Sequence, residues 1–125
     1  MGFIFFFFGL EIDSPSLNRQ LELYVFTSES CAPCAKFKRD YDENKDGLRG
    51  YVDKYFAEGE NKKHYLEITW KEEGWSNNDI AAEYEGTTGN QLRGVPLFWV
   101  RGRSWSLGGY SKPMDVLEYL SRGKK

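Results

Sequence analysis

Apolar and polar residues follow strand-like patterns in four stretches of the chain. Residues 21–27 are a nearly continuous run of apolar, β-branched and aromatic side chains, which is typical of a strand buried on both faces. Residues 66–70 alternate between apolar and polar, which predicts a strand with one buried face that includes Trp70. A third strand is predicted over 95–100, and a hairpin turn joins it to a last strand at 105–107.

Helical patterns separate or follow these strands. The chain turns helical at Cys34, is interrupted near Gly47, and resumes with apolar residues spaced as one helix face up to residue 56, which predicts a helix with a kink or break. A capping box at 76–79 predicts a short helix, and Ser111 is placed to cap a final one. The residues predicted to face the core are Ile80, Ala81 and Tyr84 in the short helix and Val116, Leu117 and Leu120 in the final helix.

The start of the chain is set apart by a phenylalanine-rich segment at 3–8. This segment is shorter than the roughly 20 apolar residues that span a bilayer. It also lacks the Lys or Arg that precedes the apolar part of an export signal. We therefore favour a buried or dimer-forming first strand, followed by a short helix, over a membrane or export signal. The expected state is a monomer or a weak homodimer.

The predicted element order is β, α, β, α, β, α, β, β, α. Strands separated by helices are expected to pair in parallel through right-handed crossovers, and the closing hairpin adds an antiparallel edge. The fold class is therefore α/β, with a central mixed sheet of roughly four to five strands flanked by helices. A length of 125 residues fits one domain over 1–125, of which 1–20 is an atypical start.

The cysteine and charge content narrows the chemistry. A formal net charge of −2 offers no electrostatic case for nucleic-acid binding. With only two cysteines, three positions apart, a scaffold of structural disulfides is excluded because it needs several bridges along the chain. A tetrahedral zinc site lacks ligands, since two thiolates leave two to find and His64 is the only histidine. We expect redox chemistry and no bound metal.

Cys31 and Cys34 stand where a buried strand passes into a helix. If the helix begins at about Cys31, its sulfur lies over backbone N–H groups at the positive helix end, which favours the reactive thiolate. Pro33 fits the first turn, where its missing N–H costs nothing. A spacing of three places both sulfurs on one helix face, within bonding reach. We predict that Cys31 attacks a substrate disulfide and that Cys34, one turn inside, resolves the mixed disulfide. Incidental core cysteines are the alternative.

These motifs resemble those of the thioredoxin family. The sequence Cys31-Ala32-Pro33-Cys34 after a buried strand is similar to the family's redox motif. Residues 92–96 resemble the segment that carries the family's cis-proline, and residues 108–112 resemble its last glycine-containing loop before the final helix. The resemblance covers about 21–120 and implies a thioredoxin fold.

The resemblance also implies roles for individual residues. Ala32 and Pro33 would support the active site between the cysteines. Pro96 would be cis and pack against the disulfide, and the backbone of Val95 would pair with an extended substrate segment. Gly109 would border the same groove, although a plain turn glycine is the alternative.

Two internal positions depart from the family pattern, in addition to the phenylalanine-rich start. Ser30 stands where typical thioredoxins have a tryptophan, which alters the docking surface. Val25 stands where the family usually has an acidic residue that helps proton transfer to the inner cysteine. We therefore expect a slower or differently pH-dependent resolving step, served by water, Glu29 or Lys36.

The resulting functional prediction is a disulfide reductase of reducing cytoplasm that acts on disulfide-containing protein substrates. No cofactor is expected to be bound, and the resemblance implies electrons from an NADPH-dependent thioredoxin reductase or from the glutathione system. A glutaredoxin-like reductase that depends on glutathione is one alternative. The others are an exported oxidant or isomerase, and a binding subunit with idle cysteines.

Overall fold

The computed structural model describes residues 21–59, 62–70, 78–110 and 112–122. The phenylalanine-rich segment, Ser76 and Ser111 lie outside these described residues, and so do the first strand and short helix expected there. Within the described ranges the elements, in chain order, are β1 (Leu23–Thr27), α1 (Ala32–Asp42), a 3-10 turn (Lys45–Gly47), α2 (Leu48–Tyr55), β2 (Leu66–Thr69), α3 (Asp79–Thr88), β3 (Leu97–Val100), β4 (Leu107–Gly108) and α4 (Pro113–Arg122).

One mixed sheet joins the four described strands in the order β2-β1-β3-β4. β1 and β2 are parallel, with Tyr24 opposite Leu66, and β3 and β4 are antiparallel. The α/β class with a mixed sheet flanked by helices is therefore confirmed. The expectation that strands separated by helices pair in parallel is wrong for β3, which lies antiparallel to β1 with Leu23 opposite Val100. The chain after α3 re-enters the sheet from the opposite end.

The sheet separates two apolar clusters, because alternate residues of each strand face opposite sides. Helices α1, α2 and α4 cover one side and α3 covers the other. The buried members of the first cluster are Leu23, Val25, Phe37, Tyr41, Leu48, Val52, Phe56, Tyr65, Phe98, Val100, Val116, Tyr119 and Leu120. Those of the second are Tyr24, Phe26, Ala81, Tyr84, Leu92, Leu97 and Trp99, with Ile80 packed against them.

Local sequence accounts for the helix boundaries. The break expected near Gly47 is confirmed: Asp46 and Gly47 have φ values of 54° and 76°, a left-handed conformation that an α-helix cannot continue through. Helix α3 begins where the side chain of Asn78 accepts a hydrogen bond from the Ala81 N–H at 2.9 Å. It ends at Gly89, whose φ of 72° suits a residue without a Cβ atom.

Two tryptophans lie differently from the sequence-based expectation. Trp70 was expected on the buried face of β2, but it follows the last paired residue and is 44% exposed. β1 ends at Thr27, which pairs with Thr69, so Trp70 lies beyond the paired part of the two strands. Trp105 was expected in the last strand, but its carbonyl accepts a hydrogen bond from Tyr119 Oη at 3.0 Å. That strand therefore begins later, at Leu107.

Candidate redox site

The strand-to-helix junction places Cys31 at the N-terminus of α1. Cys31 is the N-cap residue, with an extended backbone, and its N–H donates to the Ser28 carbonyl at 3.3 Å. The backbone N–H of Cys34 donates to Cys31 Sγ at 3.1 Å. Pro33 lies in the first turn, where a helix needs no N–H donor. The positive end of α1 is therefore directed at the sulfur of Cys31.

Cys31 and Cys34 are joined by a disulfide, with their Cα atoms 5.2 Å apart. The two residues differ in burial. Cys31 is half-buried, whereas Cys34 is only 1% exposed. Of the two sulfurs, that of Cys31 is the one that an incoming molecule reaches. Ala32 and Pro33, between them, are exposed at the surface around the disulfide.

The segment before β3 contains a cis peptide bond between Val95 and Pro96, as the resemblance implied. Pro96 is buried, and its carbonyl accepts a hydrogen bond from the Gly109 N–H at 2.8 Å. Gly109 has a φ of 80°, which its lack of a Cβ atom permits. The structure therefore brings Gly109 to the backbone of Pro96.

A groove of about 270 Å³ lies beside the redox loop and the residues before Pro96. Gly109 lines a separate cavity with Leu107 and Tyr110, and its place at the border of the substrate groove stays a prediction. Sequence reasoning found Val95 but missed most of the lining, because the lining residues come from three separate parts of the chain. They are Ser28, Ser30, Trp70, Arg93, Gly94 and Val95.

The sheet carries a carboxylate on the same side as Val25, the residue of β1 that stands where thioredoxins usually have an acidic side chain. Val25 is fully buried, and Glu67 of β2 is its partner in the parallel register, so both side chains lie on the α1 side. Glu67 accepts a hydrogen bond from Thr27 Oγ1 at 2.6 Å and forms an ion pair with Lys38 at 2.7 Å. Burial raises the pKa of Glu67, but the hydrogen bonds from Lys38 and Thr27 outweigh it, so this pKa lies below its ordinary value.

The sequence analysis named Glu29 and Lys36 as substitutes for the missing acid and did not single out Glu67. The only sequence signal for Glu67 was its polar position in the alternating pattern of β2, and its partner across the sheet depends on the register. Glu29 is exposed. Lys36 Nζ lies 2.8 Å from the buried carboxylate of Asp40, so its charge is already compensated.

Asp40 connects α1 to the loop beside Pro96. Its Oδ2 accepts hydrogen bonds from Lys36 Nζ at 2.8 Å and from Tyr110 Oη at 3.0 Å. The hydrogen bond from Lys36 is the main cause that holds the pKa of Asp40 below its ordinary value, against the opposing effect of burial. Burial and the hydrogen bond to Asp40 raise the pKa of Tyr110, which stays a neutral donor at physiological pH.

Within the described residues, no group of three or more His, Cys, Asp and Glu side chains is placed to hold a metal ion. His64 Nδ1 forms a hydrogen bond with the Phe56 carbonyl at 2.6 Å. No helix in this part of the chain is long and apolar enough to cross a membrane.

One of the similar solved structures supports the thioredoxin fold of this chain. A thioredoxin-fold protein from Helicobacter pylori matches with a TM-score of 0.52 and 20% identity, over 86% of this chain and 72% of that one. Glutaredoxin 1 from Francisella tularensis, complexed with cacodylate, matches with a TM-score of 0.46 and 13% identity, over 84% of this chain and 100% of that one.

A chain from the complex of ferredoxin:thioredoxin reductase with thioredoxin f2 has a TM-score of 0.49 and 15% identity, over 88% of this chain and 83% of that one. A search of curated proteins found no match. The family model of the thioredoxin-like domain matches residues 12–124. Together with the Cys31–Cys34 pair, this match supports a thiol–disulfide oxidoreductase. The chain belongs to the thioredoxin-like domain family.

Proposed function

We propose that this protein reduces disulfides of other proteins by dithiol exchange through Cys31 and Cys34. The observation that carries the proposal is the asymmetric disulfide at the N-terminus of α1. One sulfur is half-buried and receives a backbone N–H, while its partner is 1% exposed. This arrangement provides an accessible nucleophile and an internal resolving thiol.

The reaction begins from the reduced protein. The Cys31 thiolate attacks one sulfur of the substrate disulfide, and the other substrate sulfur leaves as a thiolate that takes up a proton. Cys34 then loses its proton and attacks Cys31 Sγ, which releases the second substrate thiol. Two electrons pass to the substrate, and the protein ends with the Cys31–Cys34 disulfide present in the structure.

The helix N-terminus supplies the activation that the first step needs. In the reduced protein, the Cys34 N–H that lies 3.1 Å from Cys31 Sγ would become a hydrogen bond to a thiolate. The positive end of α1 favours the same charged form. Both effects act on Cys31 alone, so its thiol is expected to ionise before that of Cys34, which burial keeps neutral.

Substrate docking and turnover complete the proposal. The backbone of Val95, next to Pro96, would pair with an extended segment of the substrate, in the manner of an added strand. Regeneration of the dithiol needs an external electron source, for which we propose an NADPH-dependent thioredoxin reductase. Both processes would take place in reducing cytoplasm, where protein disulfides are reduced.

A glutathione-dependent, glutaredoxin-like reductase is the second candidate. It is favoured by the departures at Ser30 and Val25, which remove the tryptophan and the buried acid typical of thioredoxins. The two candidates differ in the donor that reduces the Cys31–Cys34 disulfide.

The test is insulin-disulfide reduction by the purified protein, with thioredoxin reductase and NADPH in one assay and glutathione with glutathione reductase in the other. We expect turnover in the first assay, and loss of turnover in Cys31→Ser. Turnover only in the second assay would support the glutaredoxin-like function. Activity in neither assay would contradict the reductase proposal and favour an oxidant or a binding subunit.

A further inference from the structure

The groove beside the redox loop contains a positive charge that no described residue compensates. Arg93 is exposed and lines the groove, and its guanidinium forms no ion pair or hydrogen bond with any residue in the described ranges. By contrast, Arg101 binds Glu22 and Glu83, and Arg103 donates to backbone carbonyls of α4. The charge of Arg93 is therefore available to a molecule that enters the groove.

The other lining residues suit a polypeptide. Trp70 is 44% exposed and provides an aromatic surface, while Ser28 and Ser30 offer hydroxyl groups on the loop that leads to the disulfide. Gly94 leaves the backbone next to Val95 without a covering side chain. Glu29 is exposed but does not line the groove, and none of the described lining residues is acidic.

We propose that this groove binds the substrate polypeptide beside its disulfide, and that Arg93 selects segments with Asp or Glu close to the reacting cysteine. The inference rests on the proposed function, because it uses the pairing of Val95 with a substrate strand. Arg93 and Val95 are two positions apart and line the same groove. The two side chains therefore face one bound segment, and the selected acid lies within a few residues of the one opposite Val95.

The experiment uses the prereduced whole chain and three peptides, each with a central cysteine bonded to a neutral 2-thiopyridyl group. The positions two residues before and two residues after this cysteine both carry Glu, both carry Gln or both carry Lys. Attack by Cys31 on the peptide sulfur releases 2-thiopyridone, which is followed by its absorbance, and Cys34 then releases the peptide thiol. The rates are measured for the wild type, Arg93→Gln and Arg93→Glu, and for Arg39→Gln as the control. Arg39 is exposed on α1 and does not line the groove, so the control removes the same charge elsewhere.

We expect the wild type to reduce the Glu peptide about three- to fivefold faster than the Gln peptide, as for one exposed charge pair. This preference should disappear in Arg93→Gln, shift to the Lys peptide in Arg93→Glu, and persist in Arg39→Gln. It should also weaken in 1 M salt, because exposed charges are then screened. The rate with the Gln peptide should stay within about twofold of the wild type in Arg39→Gln, which shows that the redox pair is intact in the control.

Three outcomes would contradict, in turn, the role of Arg93, the binding of a polypeptide in the groove and the proposed function. Equal wild-type rates with the three peptides, or a preference that survives Arg93→Gln or is lost in Arg39→Gln, would overturn the role of Arg93. Reduction of glutathione disulfide is measured in parallel. If Arg93→Gln slows this reaction and leaves the rates of all three peptides unchanged, the groove takes a small disulfide and the polypeptide proposal is wrong. If the wild type reduces none of the peptides, the proposed function fails first, and this inference fails with it.

Discussion

Replacement of Asp40 by Asn should destabilise the protein, because it removes a buried negative charge with cationic partners. Asp40 is 4% exposed, with Lys36 Nζ at 2.8 Å and Lys45 Nζ at 3.9 Å. Asn keeps the size of the side chain and still accepts the hydrogen bond from Tyr110. The variant therefore isolates the effect of the charge.

The magnitude follows from the two hydrogen bonds that the carboxylate accepts. A hydrogen bond to a charged group contributes about 1.5–3 kcal/mol and a neutral one about 1 kcal/mol, so loss of charge weakens each bond by about 1 kcal/mol. Lower desolvation of the amide offsets part of this, and Lys36, at 44% side-chain exposure, returns to water. We expect the free energy of unfolding to fall by about 1–2 kcal/mol.

The difference should depend on pH. The folded-state pKa of Asp40 lies below its unfolded value of about 3.9, so the ionised group stabilises the fold above that pH. This stabilisation is lost as the pH falls through the lower folded-state pKa, where the wild type also becomes neutral. The gap between wild type and Asp40→Asn should therefore be constant from about pH 5 to 7 and should shrink below about pH 4.

Urea unfolding of the oxidised proteins at pH 7 and at pH 3 measures this gap. At pH 7 we expect the midpoint of Asp40→Asn to be lower by about 1 M urea. Asp42→Asn is the matched control, since Asp42 ends the same helix and its side chain is 59% exposed, with Lys63 at 3.6 Å. Its midpoint should hardly change. Equal midpoints for Asp40→Asn and wild type at pH 7, or a gap that does not shrink on acidification, would refute the reasoning.

Two further substitutions test contacts near the site and in the core. Glu67→Gln keeps an acceptor for Thr27 but loses the ion pair with Lys38. We expect the free energy of unfolding to fall by about 0.5–1 kcal/mol at pH 7. A double-mutant cycle with Lys38→Met should give a coupling energy of the same size. No coupling in that cycle would contradict the ion pair. Tyr119→Phe removes the hydroxyl that accepts a hydrogen bond from the buried Val100 N–H at 3.0 Å. Thermal and urea unfolding should therefore show that the free energy of unfolding falls by about 1–3 kcal/mol. An unchanged stability would show that another group satisfies this N–H.

Several parts of the fold could be predicted because local sequence determines them. The apolar run at 21–27 is long enough only for one buried strand, and the structure forms β1 over Leu23–Thr27. The helix break near Gly47 follows from residues that adopt a left-handed backbone. The position of Cys31 at the N-terminus of α1 follows from the strand, the loop and Pro33 in the first turn.

Other parts depend on contacts between distant residues, which local patterns do not contain. The direction of β3 relative to β1 is set by where the chain returns after α3, and helices between strands did not reveal it. The partnership of Glu67 with Lys38 depends on the register of β2 and on the rotation of α1. Trp70 looked like a core residue by alternation, but its environment depends on β1 ending at Thr27.

The candidate site also combines features that short motifs predict with features that depend on distant parts of the chain. The cysteine pair and the cis peptide bond before Pro96 belong to short motifs, and the resemblance of these motifs to the thioredoxin family predicted both. The groove is formed by the redox loop, the end of β2 and the segment before Pro96, which are far apart in the chain. Arg93 lies within a recognised motif, yet its exposure and its lack of a partner among the described residues appear only once these segments are brought together.

The central claim is that Cys31 attacks first and Cys34 resolves. Its most direct test is capture of the intermediate: Cys34→Ser and Cys31→Ser are each incubated with oxidised insulin, and the products are identified by non-reducing mass spectrometry. We predict a stable mixed disulfide between Cys31 and an insulin chain in Cys34→Ser and none in Cys31→Ser, because Cys34 is buried. A mixed disulfide that forms through Cys34 in Cys31→Ser at the same rate, or no adduct in either variant, would contradict the claim.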